Sequence, residues 1–118
     1  MKDEKYNWVR VAASVAEIPF GANGLAEVDA AGKTICLGRF GEAVLAFAPK
    51  CPHASGRFIQ GRIDAGGNVV CPLHGYKFCP KNGRNVSGEG YYLKHWPVAV
   101  QEEGVFVGMQ KGLLAHLL

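Results

Sequence analysis

No stretch of this 118-residue chain approaches the roughly 20 consecutive apolar residues that a membrane-spanning helix needs. The opening segment MKDEKYNWVRVAAS is charged and lacks the apolar core of a secretory signal. A cytoplasmic protein with no membrane partner is expected. Internal repeats and low-complexity tracts are missing as well, which removes solenoids and arrays. Room is limited too: one domain with a real core fits, whereas a catalytic domain plus a separate carrier module does not. Cysteine is sparse, four in all, and without an export signal such thiols bind metal more often than they form disulfides.

Acidic residues nearly vanish from the middle of the chain. Between 50 and 95, only Asp64 and Glu89 oppose Lys50, Arg57, Arg62, Lys77, Lys81, Arg84 and Lys94, a net +5, while the remainder is −2. The positive field therefore belongs to one window. No aromatic–basic repeat provides a stacking platform, so nucleic acid is not an expected partner.

Glycine, by contrast, is plentiful: 16 residues, joined by 6 prolines and frequent Val, Phe and Tyr. Average glycine usage is about 7%, so this composition points to short strands joined by tight turns, an all-β chain. Tyr6 to Ala12 alternates as a first strand. Leu25 to Asp29, Lys33 to Arg39 and Glu42 to Ala48 follow as β-compatible runs, separated by Ala-Ala-Gly at 30 to 32 and Phe-Gly at 40 to 41. From 50 to about 92 the chain turns glycine-rich, basic and broken, as an inserted subdomain within a single domain spanning 1–118. Inside it, Phe58 to Asp64 and Asn68 to Cys71 flank the turn Ala65-Gly66-Gly67, and Tyr76 to Cys79 precedes Pro80-Lys81-Asn82-Gly83. Alternation resumes in Tyr92 to Gln101, and Glu102-Glu103-Gly104 turns it into Val105 to Met109, a closing hairpin of the main sheet. The leucine-rich tail KGLLAHLL suits packing on its own domain or against a partner.

The chemistry lies in two mixed pairs, Cys51-Pro52-His53 and Cys71-Pro72-Leu73-His74, separated by 17 residues. Four such side chains can bind one tetrahedral zinc ion, although small zinc modules usually pair like with like and staple domains that lack a core. Two metal ions side by side explain the mixture differently: each loop gives its cysteine to an inner metal and its histidine to an outer one. Thiolates suit iron–sulfur chemistry and imidazole also accepts iron, so the two ions would differ in charge.

Cys51-Pro52-His53 and Cys71-Pro72-Leu73-His74-Gly75 together resemble the Rieske pattern Cys-X-His...Cys-X-X-His, and the strand order resembles a soluble Rieske ferredoxin along nearly the whole chain. The resemblance implies an antiparallel β-sandwich with an inserted small cluster-binding subdomain. It implies one [2Fe-2S] cluster, with Cys51 and Cys71 on the inner iron and His53 and His74 on the outer iron through Nδ1. It implies an electron-transfer protein rather than an enzyme, a one-electron carrier from a ferredoxin reductase to a terminal oxygenase or similar acceptor. Alternatives are a fixed redox subunit similar to the nitrite reductase small subunit, favoured by the leucine tail, and a structural zinc domain. A terminal oxygenase itself needs a further mononuclear iron domain, for which there is no room.

Two ferric ions, two sulfides and two thiolates sum to zero charge, which eases reduction. Exchanging thiolates for imidazoles lifts the potential from about −400 mV into a range of roughly −150 to +300 mV. High-potential relatives add a cysteine to each ligand loop and a serine after the glycine; here Gly56, Leu73 and Tyr76 occupy those positions. The low end of the range is predicted. The loop Asn85 to Tyr91 lacks the proline with which many relatives cover the cluster. Pro52 and Pro72 stiffen their loops. Cys36 and Cys79 read as packing residues, and His95 and His116 as residues without a ligand role. An aromatic residue beside the histidines would meet a docking partner, and the basic window, with Arg57 and Lys77 framing the dock, suits an acidic docking surface.

Overall fold

The computed structural model describes residues 5–53, 56–88 and 90–110. Among the described residues, ten strands form three antiparallel sheets. The first joins β1 (Tyr6–Ala12), β10 (Gly104–Gln110) and β9 (Val98–Gln101) in the order β1-β10-β9. The second runs β2 (Leu25–Ala30), β3 (Lys33–Phe40), β4 (Ala43–Phe47) and β8 (His95–Trp96) in sequence. The third, β5 (Arg62–Ile63), β6 (Val69–Val70) and β7 (Lys77–Phe78), lies within the segment between β4 and β8.

The second sheet serves two cores because successive residues of a strand point to opposite faces. Ile35 and Leu37 of β3 join Ala26, Ala46, Trp96, Val105 and Val107 in the core between the two larger sheets. Cys36, between them in sequence, faces the other way and packs with Leu25, Phe47, Phe58, Val69 and Phe78 under the inserted segment. That double duty explains why Ile35 to Gly38 are all buried while both ends of β3 are exposed.

Turn chemistry sets the hairpins. β2 and β3 are joined by Ala31 and Gly32 at φ 54° and 83°, the two positive φ values that a type I′ turn requires. The Asp29 carboxylate accepts the Gly32 N–H at 3.3 Å. Gly83 meets the opposite constraint: a Cβ there would lie 2.2 Å from the Leu93 carbonyl oxygen, and φ is +76°.

Two sequence expectations shift. Phe58 to Gln60 form a 3-10 turn, and only Arg62–Ile63 pair as a strand. The alternating run after Tyr92 is cut at Pro97: β8 pairs with β4, and β9 pairs with β10. The closing hairpin therefore completes the sheet containing β1. Among the described residues no helix is long and apolar enough to cross a membrane. The leucine-rich tail, with His116, lies outside the described residues.

Candidate metal centre

Both Cys/His pairs sit in loops closed by the same device. Cys51 donates its N–H to the Gly56 carbonyl at 2.8 Å, and Cys71 donates to the Tyr76 carbonyl at 2.8 Å. The first loop is pinned at its base by the Lys50–Arg57 bridge, and by the Phe58 N–H bonding the Pro49 carbonyl at 3.0 Å. The second is pinned by the Val70–Lys77 pair of β6 and β7. A third segment braces it, with the Val86 N–H on the Lys77 carbonyl and the Lys77 N–H on Ser87 Oγ at 2.9 and 3.0 Å.

The four side chains are layered. Cys51 and Cys71 are 2% and 1% exposed and belong to the core under the insertion. His53 is half-buried and His74 exposed, with ring centroids 5.2 Å apart. Thiols lie in the apolar layer, and the imidazoles lie nearer the surface, with His74 outermost. The His53 Nδ1 is buried without a hydrogen-bond partner, a costly state for a lone pair unless a metal or donor takes it up. Among the described residues no three His, Cys, Asp or Glu side chains group as around a single ion; a binuclear centre asks for only two protein donors per iron. The donor chemistry and the orphaned nitrogen thus fit an iron–sulfur pair.

The loops approach closely at the two positions that the sequence comparison with high-potential relatives singles out. A Cβ on Gly56 would stand 2.9 Å from Cys71 Sγ and 2.9 Å from Leu73 Cγ. Positions 56 and 73, the two that carry cysteines in high-potential relatives, therefore face each other here without sulfur.

Aromatic rings surround His53. Tyr76 stacks on it with centroids 3.9 Å apart and planes 14° apart, and Tyr91 meets it edge-on at 5.3 Å. Tyr91 and its neighbour Tyr92 are 42% and 71% exposed, and Leu73 beside His74 is 56% exposed, so the imidazole end is apolar at its rim.

The charges nearest this end differ from the sequence expectation. Arg57 grips Glu27 of β2, with Nη2 2.6 Å from Oε2, and Lys77 lies 3.4 Å from Asp64. Both bases expected to frame a dock are already matched with acids. Asp64 also accepts the backbone N–H groups of Asn68 and Gly66; these bonds and Lys77 hold its carboxyl below the ordinary 3.8.

Of the remaining candidates, Cys36 is fully buried in β3, and burial, with Glu27 adding to it, pushes its thiol up to about 12. Cys79 is half-buried at the start of the 79–83 turn, where its carbonyl accepts the Gly83 N–H at 2.7 Å. His95 is half-buried on β8 opposite Phe47.

A β-sandwich that sets two buried thiols below two more accessible imidazoles has the donor types of an iron–sulfur protein. Residues 7–97 match the family described as Rieske [2Fe-2S] domain. The chain belongs to that family and carries one Rieske-type [2Fe-2S] cluster, which sets the structural zinc reading aside. It is 27% identical over 99 residues to the 3-phenylpropionate/cinnamic acid dioxygenase ferredoxin subunit of Shigella boydii serotype 4 (strain Sb227), covering 83% of this chain and 91% of that one. The ferredoxin of carbazole 1,9a-dioxygenase from Nocardioides aromaticivorans IC177 superposes with a TM-score of 0.74 at 23% identity, over 88% of this chain and 99% of its own. A chain in a complex of reduced oxygenase and oxidized ferredoxin in carbazole 1,9a-dioxygenase superposes with a TM-score of 0.72 at 26% identity, over 90% and 96%.

Proposed function

We propose that this chain takes single electrons from a ferredoxin reductase and delivers them to a terminal oxygenase or similar acceptor, with Cys51 and Cys71 holding the inner iron and His53 and His74 the outer iron through Nδ1. The layering of buried thiols under more accessible imidazoles carries this reading, since it separates the two donor types as two unlike irons require. When bound, the cluster supplies a one-electron store; the chain contributes its insulation and its contact surface. Phe58 and Phe78 wall the sulfur side, and Leu73, His74 and Tyr91 present the other side to a partner. The oxygenase as acceptor is supported by the dioxygenase ferredoxin relatives.

Residues 50–92 act in this reading as the cluster-binding subdomain of a single domain spanning 1–118, and the compartment is the cytoplasm. An acidic docking surface on the partner is supported by the +5 excess of the window from 50 to 95. With Arg57 and Lys77 paired, Arg84, which lines one hollow with Tyr91 and Tyr92, is a further base at the rim. The reading of the chain as a fixed subunit leans on the leucine tail, which lies outside the described residues.

Replacing His53 and His74 together by alanine tests the ligand set. Loss of iron, acid-labile sulfide, colour and the EPR signal of the reduced protein is expected; full retention of all four overturns it.

A further inference from the structure

We propose that Tyr76 is a positioning residue that fixes the ring plane of His53 and ties the two ligand loops into one unit. The inference rests on the reading of His53 as a ligand.

Histidine χ2 is a broad torsion, and Pro52 restricts only its own φ, so nothing local sets the His53 ring plane. Tyr76 supplies what is missing. Its ring lies 3.9 Å from the imidazole with only 14° between planes, which leaves no space for the imidazole to tilt toward it. Tyr91 at 5.3 Å and 65°, and His74 at 5.2 Å and 73°, meet the same ring edge-on. Rings from different segments thus enclose His53, and its Nδ1 is buried.

The backbone of Tyr76 does the second part. Its carbonyl accepts the Cys71 N–H at 2.8 Å, so the residue that stacks on a histidine of the first loop is hydrogen-bonded to a cysteine of the second. A shift of either loop breaks one of these contacts. Among the described residues His74 has no comparable stack, its ring being 6.4 Å from Tyr76 at 61°, and it is exposed. One imidazole is clamped, and the other is left for a partner to meet.

The test compares Tyr76→Leu and Tyr76→Phe, each isolated with its cluster, with the wild type, and adds His53→Ala as purified. Two quantities are read: the rate at which a chelator strips the iron, and the EPR line positions of the reduced protein. Tyr76→Phe keeps the flat ring and is expected to match the wild type in both. Tyr76→Leu is expected to lose iron about two- to tenfold faster, the factor that one aromatic pair contributes, with shifted line positions. Wild-type behaviour of Tyr76→Leu in both readouts overturns the proposal. Should Tyr76→Leu not fold, as judged by circular dichroism, Tyr76→Met replaces it with the same expectations. Failure of both to fold assigns Tyr76 to the scaffold and overturns the proposal as well. His53→Ala isolates the underlying reading: a variant with full iron and an unchanged spectrum removes His53 from the ligands, whatever Tyr76 does.

Discussion

Arg57, one residue beyond Gly56 in the first ligand loop, is held in a two-pronged ion pair by Glu27, 30 residues earlier in β2. The pair anchors the inserted segment to the sandwich and neutralises a charge that the sequence offers to a docking partner. Their side chains are 52% and 22% exposed, so solvent screens the attraction.

A double-mutant cycle on Arg57→Gln and Glu27→Gln is therefore expected to give a coupling below about 1 kcal/mol in denaturant unfolding. In electron-transfer kinetics with the reductase or oxygenase, the double variant Arg57→Gln/Glu27→Gln, which removes the neutral pair as a unit, is expected to leave the ionic-strength dependence close to wild type, whereas Arg84→Gln flattens it. A larger change for the double variant than for Arg84→Gln would reverse this assignment. Rates insensitive to salt in the wild type would remove the acidic docking surface.

Gly56→Ala places a methyl group 2.9 Å from Cys71 Sγ and Leu73 Cγ. Overpacking of this kind costs about 1–3 kcal/mol, and here it forces apart the two loops that carry the ligands. Iron and sulfide content below that of the wild type, measured on protein purified in parallel, is the expected outcome. Equal content would show that the loops relax freely.

The Cys36 thiol rises from the ordinary 9.0 to about 12 because burial penalises the thiolate and Glu27 adds repulsion. The unfolded chain gives up this proton first, so its contribution to stability is complete below pH 9 and is lost as pH climbs toward 12. Unfolding free energies of wild type and Cys36→Ala at pH 8 and 10.5 should converge as pH rises. The native thiol should also resist alkylation at neutral pH while the unfolded chain reacts.

Asp64 works in the opposite sense. Its lowered carboxyl, bonded to the N–H groups of Asn68 and Gly66 and facing Lys77, stabilises the β5–β6 hairpin above the ordinary carboxylate range and loses that effect as pH falls through its folded value. The stability difference between wild type and Asp64→Asn should therefore shrink on acidification below pH 3.8. A difference that stays constant across that range would dissociate the hairpin from this titration.

The reduction potential is expected below about +100 mV by protein-film voltammetry, within the lower part of the Rieske range. Gly56 and Leu73 face each other without a disulfide, and Tyr76, at the position of the serine, places its ring against His53. A value well above +100 mV would require a source of electron withdrawal other than the loop cysteines and the serine of high-potential relatives, which are replaced here by Gly56, Leu73 and Tyr76.

The sandwich strands were legible because alternation and hairpin turns are local: β1 to β4 fall within a residue or so of the expected runs. Pro97 was visible in the sequence, but its effect, dividing one alternating run between two sheets, depends on which neighbours each half meets. Phe58 is an aromatic β-former, yet its burial against Phe47 and Phe78 is served by a 3-10 turn. The Cys/His spacing carried the candidate ligands almost unaided. What spacing could not carry was anything depending on contact across loops: the stack of Tyr76 on His53, the absence of space at Gly56, and the Arg57–Glu27 pair. Each joins residues whose proximity exists only after the three sheets have assembled.

The inserted segment leaves β4 after Phe47 and returns in β8 at His95, the residue paired directly with Phe47, with the Ala48 N–H on the Lys94 carbonyl closing the gap at 2.9 Å. Departure and return share a neck two strands wide. A lineage can therefore lengthen or recharge the exposed rim of the redox tip while the register of the sandwich stays fixed, but a transplanted tip must bring with it the underside on which it rests, Leu25, Cys36 and Phe47 and the Glu27 partner of Arg57.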